Sequence, residues 1–218
     1  MPKLFVYRIV VDEGVAPNLL DGQLTLTLCK PGIRRAAQVG DYVLALVALQ
    51  HAQLTGKGPD RYYKAAYLFT IREKVGILEY EAWCKVHAPS KICDPSTGEG
   101  NCQYNSTGAQ RLGPHGEFNK NRDLGGRFAL VSDHFAAWTS RSPHTLTDSE
   151  LETIGLDRAQ IQTATRNFFT ISLDRPEQIA ALEQLIAENQ PVAAAPLCSG
   201  ASCKKRAGSR RQRRTRRR

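Results

Sequence analysis

One stretch decides the fold: Cys29-Lys-Pro-Gly-Ile-Arg-Arg-Ala-Ala-Gln-Val-Gly-Asp-Tyr-Val-Leu-Ala-Leu-Val47. Before it lies an alternating strand in which Leu24, Leu26 and Leu28 share one face. After its cationic turn, Gly40-Asp41 leads into a second apolar run. A positively charged elbow between two core strands is where a small domain exposes a binding pocket. The stretch therefore predicts two core strands with a ligand site at the turn that joins them.

The basic character of the chain is concentrated at its C-terminal end. The formal net charge of the 218 residues is +9, but residues 204–218 hold ten of the 30 Lys and Arg and no acid, which leaves 20 basic against 21 acidic residues elsewhere. A segment with so little apolar surface cannot fold alone. Its guanidinium groups suit a phosphate backbone, so we predict a disordered tail that contacts nucleic acid without sequence specificity. Acidic lipid or no fixed partner stay open as alternatives. The predicted backbone contacts are Lys204, Lys205, Arg206, Arg210, Arg211, Arg213, Arg214, Arg216, Arg217 and Arg218.

The N-terminal run does not have the features of a targeting segment. Lys3-Leu-Phe-Val-Tyr-Arg-Ile-Val-Val11 is interrupted by Arg8 and lacks a small-residue cleavage site. No apolar run in the chain reaches about 18 residues, so we expect no membrane partner. We therefore expect a cytoplasmic protein whose six cysteines are reduced thiols.

The patterning predicts an α+β fold with a curved, mixed sheet and a few flanking helices. Short apolar runs predict strands, and a capping box at Thr147-Asp-Ser-Glu150 predicts that a helix begins there. Helices follow strands too rarely for a doubly wound sheet. The predicted strands are Leu4–Val11, Gln23–Leu28, Tyr42–Leu49, Ala65–Glu73, Arg127–Ser132 and Phe168–Leu173, and the other predicted helices are Ile33–Gln38, Leu78–Val86 and Pro176–Asn189.

We expect three parts in the chain. Residues 1–145 form a core domain, 146–190 a helix-strand-helix extension packed on it, and 191–218 a disordered linker and tail. Inside the core, residues 89–126 hold seven glycines and show no periodicity. A loop of this length is usually functional or disordered. We expect it to be too polar to pack as core and to act as a lid or pocket wall.

The cationic elbow is the first candidate site. Lys30, Arg34 and Arg35 lie within six residues of one another. Arginine binds phosphate through two parallel hydrogen bonds, and lysine acts as a point charge. The alternative is a turn whose charges face water.

Several blocks resemble, in order, the nucleotide-modification-associated domain families, most closely the second. They are Thr27-Leu-Cys-Lys-Pro-Gly-Ile-Arg-Arg-Ala-Ala-Gln-Val-Gly-Asp41, Gly14-Val-Ala-Pro-Asn18, Ala65-Ala-Tyr-Leu-Phe-Thr-Ile71, Tyr80-Glu-Ala-Trp83, Gly100-Asn-Cys-Gln-Tyr104, Arg122-Asp123 and Phe128-Ala-Leu-Val-Ser132. The resemblance covers residues 3–138 and departs at Ala136-Ala-Trp138. It implies a role in or beside DNA base modification, so DNA is favoured over RNA as the partner, with a nucleotide as a further ligand. It identifies no reaction and no cofactor.

On this resemblance and the elbow, we expect the nucleotide-binding residues to be Lys30, Arg34, Arg35, Asn101, Tyr104 and Ser132. The order of strand, Lys-Pro turn, Val-Gly-Asp and core strand is also similar to PUA-like domains of the EVE and ASCH types. That likeness implies a small barrel with a pocket for a base.

Cysteine and histidine residues offer two further chemistries. Cys84, His87, Cys93 and Cys102 can be written as four zinc ligands, but they lack a Cys-x-x-Cys knuckle. We therefore predict no metal site. The sequence alone does not decide whether these four residues bind a metal. For nucleophilic catalysis the best candidate is Cys29, because neighbouring cations favour a thiolate.

A base for Cys29 would be His115 or His134, and Asp123 or Asp133 could serve in acid–base or ribose-binding roles. A structural cysteine and turn-forming aspartates are the alternatives. An aromatic ring around the central strand could stack on a base. The candidates are Tyr62, Tyr63, Tyr67 and Phe69.

The sequence thus predicts a nucleotide- or nucleobase-binding protein associated with base modification and tethered to nucleic acid by its tail. Two alternatives are a non-catalytic PUA-like reader of a modified base and a non-specific nucleic-acid-binding protein. Whether the protein is an enzyme is left undecided by the sequence.

Overall fold

The computed structural model describes residues 1–9, 14–48, 63–94, 96, 99–111, 115–163 and 168–190. These ranges contain nine strands: β1 (Lys3–Ile9), β2 (Leu24–Leu26), β3 (Tyr42–Val47), β4 (Lys64–Thr70), β5 (Glu73–Gly76), β6 (Phe128–Ser132), β7 (Phe135–Ala137), β8 (His144–Thr145) and β9 (Phe169–Ser172). They also contain six α-helices: α1 (Pro31–Ala36), α2 (Tyr80–His87), α3 (Lys120–Leu124), α4 (Asp148–Ile154), α5 (Arg158–Thr163) and α6 (Pro176–Glu188). Single 3₁₀ turns lie at Leu20–Gly22, Pro89–Lys91 and Glu117–Asn119.

The strands form two sheets. The larger has the order β7-β4-β3-β1-β9, with β8 also paired to β4, and the smaller has the order β2-β6-β5. The pair β1–β3 is parallel and the other pairs are antiparallel. Within the described ranges the strands close no barrel. The predicted mixed α+β class is confirmed, and the PUA-like barrel is not.

The large sheet is buried on both faces, which explains why its central strands read as continuous apolar runs. On β1, Leu4 and Val6 face one core cluster, and Phe5 and Tyr7 face another. The first cluster is completed by helices α4, α5 and α6. The second contains α1 and residues of β2 and β6. The molecule therefore has three layers, with the small sheet and α1 on one side of the large sheet and the C-terminal helices on the other.

Most predicted elements are confirmed. Each of the six predicted strands overlaps an observed strand, and helices occur at all four predicted places. Helix α4 begins with the predicted capping box, in which the Thr147 hydroxyl accepts the Glu150 N–H and the Glu150 carboxylate accepts the Thr147 N–H. The sequence missed β5, β7, β8, α3 and α5, which have at most six residues each. Elements this short carry too little periodicity to detect. Among the described helices, none combines the length and apolar character needed to span a bilayer.

The expectation that residues 89–126 are too polar to pack as core was wrong for the part that the structure describes. Hydrogen bonds within the fold satisfy most of the buried polar groups of this segment, with Nε of Arg111 as an exception. For example, the Asn101 amide donates to the Thr25 hydroxyl, 2.9 Å away, and the Asn101 carbonyl accepts from the Thr27 hydroxyl at 3.2 Å. The segment is therefore packed against the small sheet through β2. The buried polar residues in it are Lys91, Asn101, Gln103 and Asp123.

Candidate active site

The turn between β2 and α1 has an unusual backbone. Cys29 has φ 58° and Lys30 has φ 41°, so two consecutive non-glycine residues are left-handed. Each such residue costs about 1–2 kcal/mol and persists only where its surroundings hold it. Here the Cys29 N–H donates to Oδ1 of Asp123 at 2.9 Å, and the Cys29 carbonyl accepts from Nε of Arg34 at 2.9 Å. The turn is thus fixed on both sides, which sets the direction of the Cys29 side chain.

Three side chains at this turn are joined in series. The sulfur of Cys29 lies 3.5 Å from Nε2 of His115, and Nδ1 of His115 lies 2.7 Å from Oδ2 of Asp123. Asp123 is fully buried, and the His115 side chain is 16% exposed. Cys29 itself is partly buried. This order of thiol, imidazole and carboxylate resembles the geometry of a catalytic triad.

The protonation of the series follows from its contacts. Burial lowers the pKa of His115, but the hydrogen bonds to Asp123 and Cys29 outweigh burial and raise this pKa from 6.5 to about 9. For Asp123, burial alone would raise the pKa, whereas the hydrogen bonds from His115 and from the Cys29 N–H lower it below its ordinary value. At neutral pH His115 is therefore an imidazolium that donates to both the sulfur and the carboxylate.

Two buried neighbours hold the histidine and the aspartate in place. The Tyr104 hydroxyl donates to Oδ2 of Asp123 at 3.2 Å. The amide of Gln103 brackets the His115 backbone, donating to its carbonyl and accepting its N–H. Both residues come from the 89–126 segment, as do His115 and Asp123, so this segment supplies most of the side chains around the Cys29 turn. Its role as a lid or pocket wall stays a prediction.

Arg34 connects the backbone of Cys29 to that of Asp123 and is shielded from solvent. It is fully buried, and its guanidinium donates to the carbonyls of Cys29, Phe128 and Asp123. Burial, partly opposed by Asp123, lowers its pKa from 12.5 to about 10, so it stays charged at neutral pH. A Cβ at Gly126 would lie 2.1 Å from the guanidinium carbon, so only glycine fits there. We therefore reassign Arg34 from a direct phosphate ligand to a support of the turn.

The other predicted nucleotide-binding residues fall in different places. Lys30 is half-buried, with Nζ 3.0 Å from the Arg8 carbonyl and 4.8 Å from the centroid of the Tyr7 ring. Arg35 is exposed and donates to the Gly125 carbonyl at 2.6 Å.

Tyr104 belongs to the site, but Asn101 and Ser132 do not reach it. The Asn101 side chain is fixed by Tyr80 and Thr25, and the Ser132 hydroxyl donates to the His134 carbonyl. Ser132 pairs with Leu24 at the end of β2 away from Cys29. Their predicted roles in binding remain untested.

Of the two histidines predicted as a base, only His115 reaches Cys29. Nε2 of His134 instead lies 2.5 Å from the Glu183 carboxylate, which also accepts from the Tyr42 hydroxyl. Asp133 is exposed and forms a 3.9 Å ion pair with Arg72. The sequence could not choose between the histidines because no spacing rule joins either one to Cys29.

The same three residues also carry side chains of the types that bind metal ions. Across the described ranges, Cys29, His115 and Asp123 form the one group of three or more possible ligands whose ligand atoms lie within 4.8 Å of one another. The separation of sulfur and Nε2 also suits two ligands of a tetrahedral zinc ion. However, both carboxylate oxygens of Asp123 already accept hydrogen bonds, from Cys29, His115 and Tyr104. The series therefore fits a hydrogen-bonded triad better than a three-ligand metal site.

The four residues written as zinc ligands do not form such a group in the described part of the chain. Cys84 and Cys102 are buried in a small apolar cluster with Tyr80. His87 is exposed and lies against the Trp83 ring, with 5.1 Å between ring centroids. The cysteines thus act here as small hydrophobic side chains.

The sequence did not indicate two further candidate residues, of which Arg122 contacts the triad and Phe118 lies close to His115 in the chain. Nη2 of Arg122 lies 3.7 Å from the sulfur of Cys29. Phe118, in the 3₁₀ turn between His115 and α3, is 89% exposed. By contrast, Tyr63, Tyr67 and Phe69 are buried in the core, and Tyr62 lies outside the described residues. The signal for Phe118 is an isolated aromatic residue in a polar segment.

Together these features define a class: an α+β domain that carries a thiol, an imidazole and a carboxylate in one hydrogen-bonded series. The chain belongs to the nucleotide modification associated domain 2 family, whose model matches residues 1–197. The family resemblance is thus confirmed, and the match extends beyond residue 138 through the C-terminal helices. No curated protein and no solved structure matches the chain. The family description associates the protein with nucleotide modification.

Proposed function

We propose that this protein is a thiol-dependent enzyme that acts on a nucleotide or nucleobase, with Cys29 as the nucleophile. The observation that carries the proposal is the series formed by Cys29, His115 and Asp123, with heavy-atom distances of 3.5 and 2.7 Å. The family supplies the nucleotide context. The DNA partner and the tail that tethers the enzyme to it are part of the same proposal; the tail lies outside the described residues.

The chemical step uses the side chains in sequence. The reacting form is the ion pair in which the proton lies on Nε2 of His115, and the Cys29 sulfur of this pair forms a bond to an electrophilic carbon of the substrate. The leaving group departs with the electron pair of its bond and takes the proton from Nε2. Asp123 keeps the imidazole in the required orientation through Nδ1. Attack by water or a second substrate then releases the thiol.

The same geometry disfavours the non-catalytic alternatives. A reader pocket needs aromatic rings and amides, and it gains nothing from a thiol held at 3.5 Å from an imidazolium. Single left-handed non-glycine residues also occur at Asp21, Arg127 and Thr139, but Cys29 and Lys30 are two such residues in succession, which adds a further cost at this turn. Strain of this kind is found at active sites, where the surrounding structure maintains it.

The test compares nucleosides by mass spectrometry in DNA from cells that express the wild type or a variant. Cys29→Ala and His115→Asn should each abolish the base change that the wild type produces. Cys203→Ala is the matched control, since it removes a thiol far along the chain from the site. An unchanged product with Cys29→Ala would refute the thiol mechanism. Purified variants must retain the wild-type circular dichroism spectrum for the comparison to count.

A further inference from the structure

We infer that Arg122 forms an anion subsite beside Cys29, so that the substrate carries a carboxylate or phosphate next to the attacked atom. The inference rests on the proposed function, because it concerns the same thiol. Nη2 of Arg122 lies 3.7 Å from the sulfur, and Nε lies 3.9 Å from Oδ1 of Asp123. Both contacts are long, and the Arg122 side chain is 49% exposed.

This guanidinium differs from the buried one in the same site. Arg34 has no exposed surface, and its donors are taken by three carbonyls. Arg122 has two long contacts on one side and open solvent on the other. The carboxylate of Asp123 cannot turn toward it, because both oxygens are held by Cys29, His115 and Tyr104. The flat fork of Arg122 is thus available to an anionic group of the substrate, which it can bind through two hydrogen bonds.

The charge around the thiol favours an anion as well. The two segments that build the site, residues 29–36 and 115–127, contain six Lys and Arg and two acids. One of the acids, Asp123, is paired with a protonated His115. The exposed acid is Glu117, next to Phe118. A surplus of positive charge around a partly enclosed group raises the local concentration of anionic substrates. The cations are Lys30, Arg34, Arg35, Lys120, Arg122 and Arg127.

Charge-selective alkylation tests the subsite without a known substrate. Iodoacetate and iodoacetamide react with a thiolate by the same displacement, so the ratio of their rates cancels any change in the reactivity of the sulfur. We expect the ratio at Cys29, measured by peptide mass spectrometry, to exceed that of free glutathione. Arg122→Gln should lower the ratio by about tenfold. The control Arg141→Gln removes the same charge from the exposed loop between β7 and β8 and should leave the ratio unchanged.

The outcomes separate the subsite from the mechanism. If Arg122→Gln slows both reagents equally, the arginine only activates the sulfur, and the subsite is refuted. A wild-type ratio equal to that of glutathione refutes it too. If Cys29 in the folded protein reacts with neither reagent faster than it does in the denatured chain, the proposed thiol mechanism is refuted, and the subsite with it. If Cys29 is reactive but does not prefer the anionic reagent, the subsite is refuted and the thiol mechanism is not.

Protection experiments identify the anion. Inorganic phosphate and acetate are compared, at constant ionic strength, for their ability to slow the alkylation of Cys29 by iodoacetamide. Stronger protection by phosphate assigns the subsite to a phosphate of the substrate, and stronger protection by acetate assigns it to a carboxylate. Either effect should disappear in Arg122→Gln. Failure of both ions to protect, or equal protection in the variant, contradicts the inference.

Discussion

His115 carries the strongest pH signature in the site. Its pKa is raised to about 9, so the folded state binds a proton more tightly than the unfolded chain, whose histidines titrate near 6.5. The stabilisation is fully present below about pH 6.5 and is lost as the pH rises through 9. Asp123 affects stability at acidic pH. Its pKa is lowered in the folded state, so its contribution to the free energy of unfolding is lost as the pH falls below 3.8, the ordinary pKa of the group.

We therefore predict that the free energy of unfolding of the wild type decreases between pH 6.5 and 9. In His115→Asn this decrease should be absent. Urea unfolding across that range measures the effect. NMR titration of His115 checks its cause, since the ring should titrate near pH 9. A wild-type His115 that titrates near 6.5 would contradict the coupling to Asp123.

Gly126 is the residue against which the Arg34 guanidinium packs. Gly126→Ala places a methyl group within 2.1 Å of it, so we predict a loss of about 2–3 kcal/mol from overpacking in urea unfolding. Arg34→Ala alone should also destabilise, because three carbonyls lose their donor. Combined with Arg34→Ala, the alanine at 126 should cost much less than it does alone. Strictly additive costs would show that the contact is not the cause.

At the scale of elements, the sequence predicted what periodicity and turn chemistry can show. The central strands and α6 were predicted from their apolar pattern, and α4 from its capping box. The site was predicted only in pieces. Cys29 and Asp123 were named, but nothing in a sequence of this kind reveals that residues 94 positions apart share a hydrogen bond. Arg34 was expected at a ligand because charge predicts exposure, and here three carbonyls meet its donors instead.

The short 3₁₀ turn before α3 presents Phe118 to solvent at 89% exposure, three residues after His115. Because an exposed aromatic ring can stack on a base, and this one is close in sequence to His115, we predict that Phe118→Ala weakens nucleotide binding by about 1–3 kcal/mol. Calorimetric titration with nucleoside monophosphates measures this change. The rate of Cys29 alkylation should stay at the wild-type value.

The matched control is Val86→Ala, which shortens an exposed apolar side chain on α2. It should bind nucleotides like the wild type. If Phe118→Ala binds as tightly as Val86→Ala, the ring has no role in recognition and the base is held elsewhere.

At the scale of the whole molecule, the C-terminal helices are tied to the central sheet. Oε1 of Glu183 on α6 accepts from the Tyr42 hydroxyl on β3 at 2.5 Å, and Oε2 pairs with His134. Strand β9 pairs with β1 at the sheet edge. The match of the family through residue 197 covers all of these contacts. The predicted division at residue 145 therefore falls between segments that share one core cluster.

The basic segment after this domain supports the last prediction. Residues 204–218 carry ten positive charges, and without them the chain has a net charge of about −1. Non-specific affinity for duplex DNA depends on the number of phosphates neutralised, and so does the slope of log affinity against log salt. Deletion of this segment should therefore weaken binding to random duplex strongly and flatten the slope. The rate of Cys29 alkylation should not change, because the triad lies wholly within residues 29–123. A full-length variant with these ten residues replaced by glutamine separates charge from length and should match the deletion. If the deleted protein keeps the wild-type slope, the folded domain itself carries the phosphate contacts.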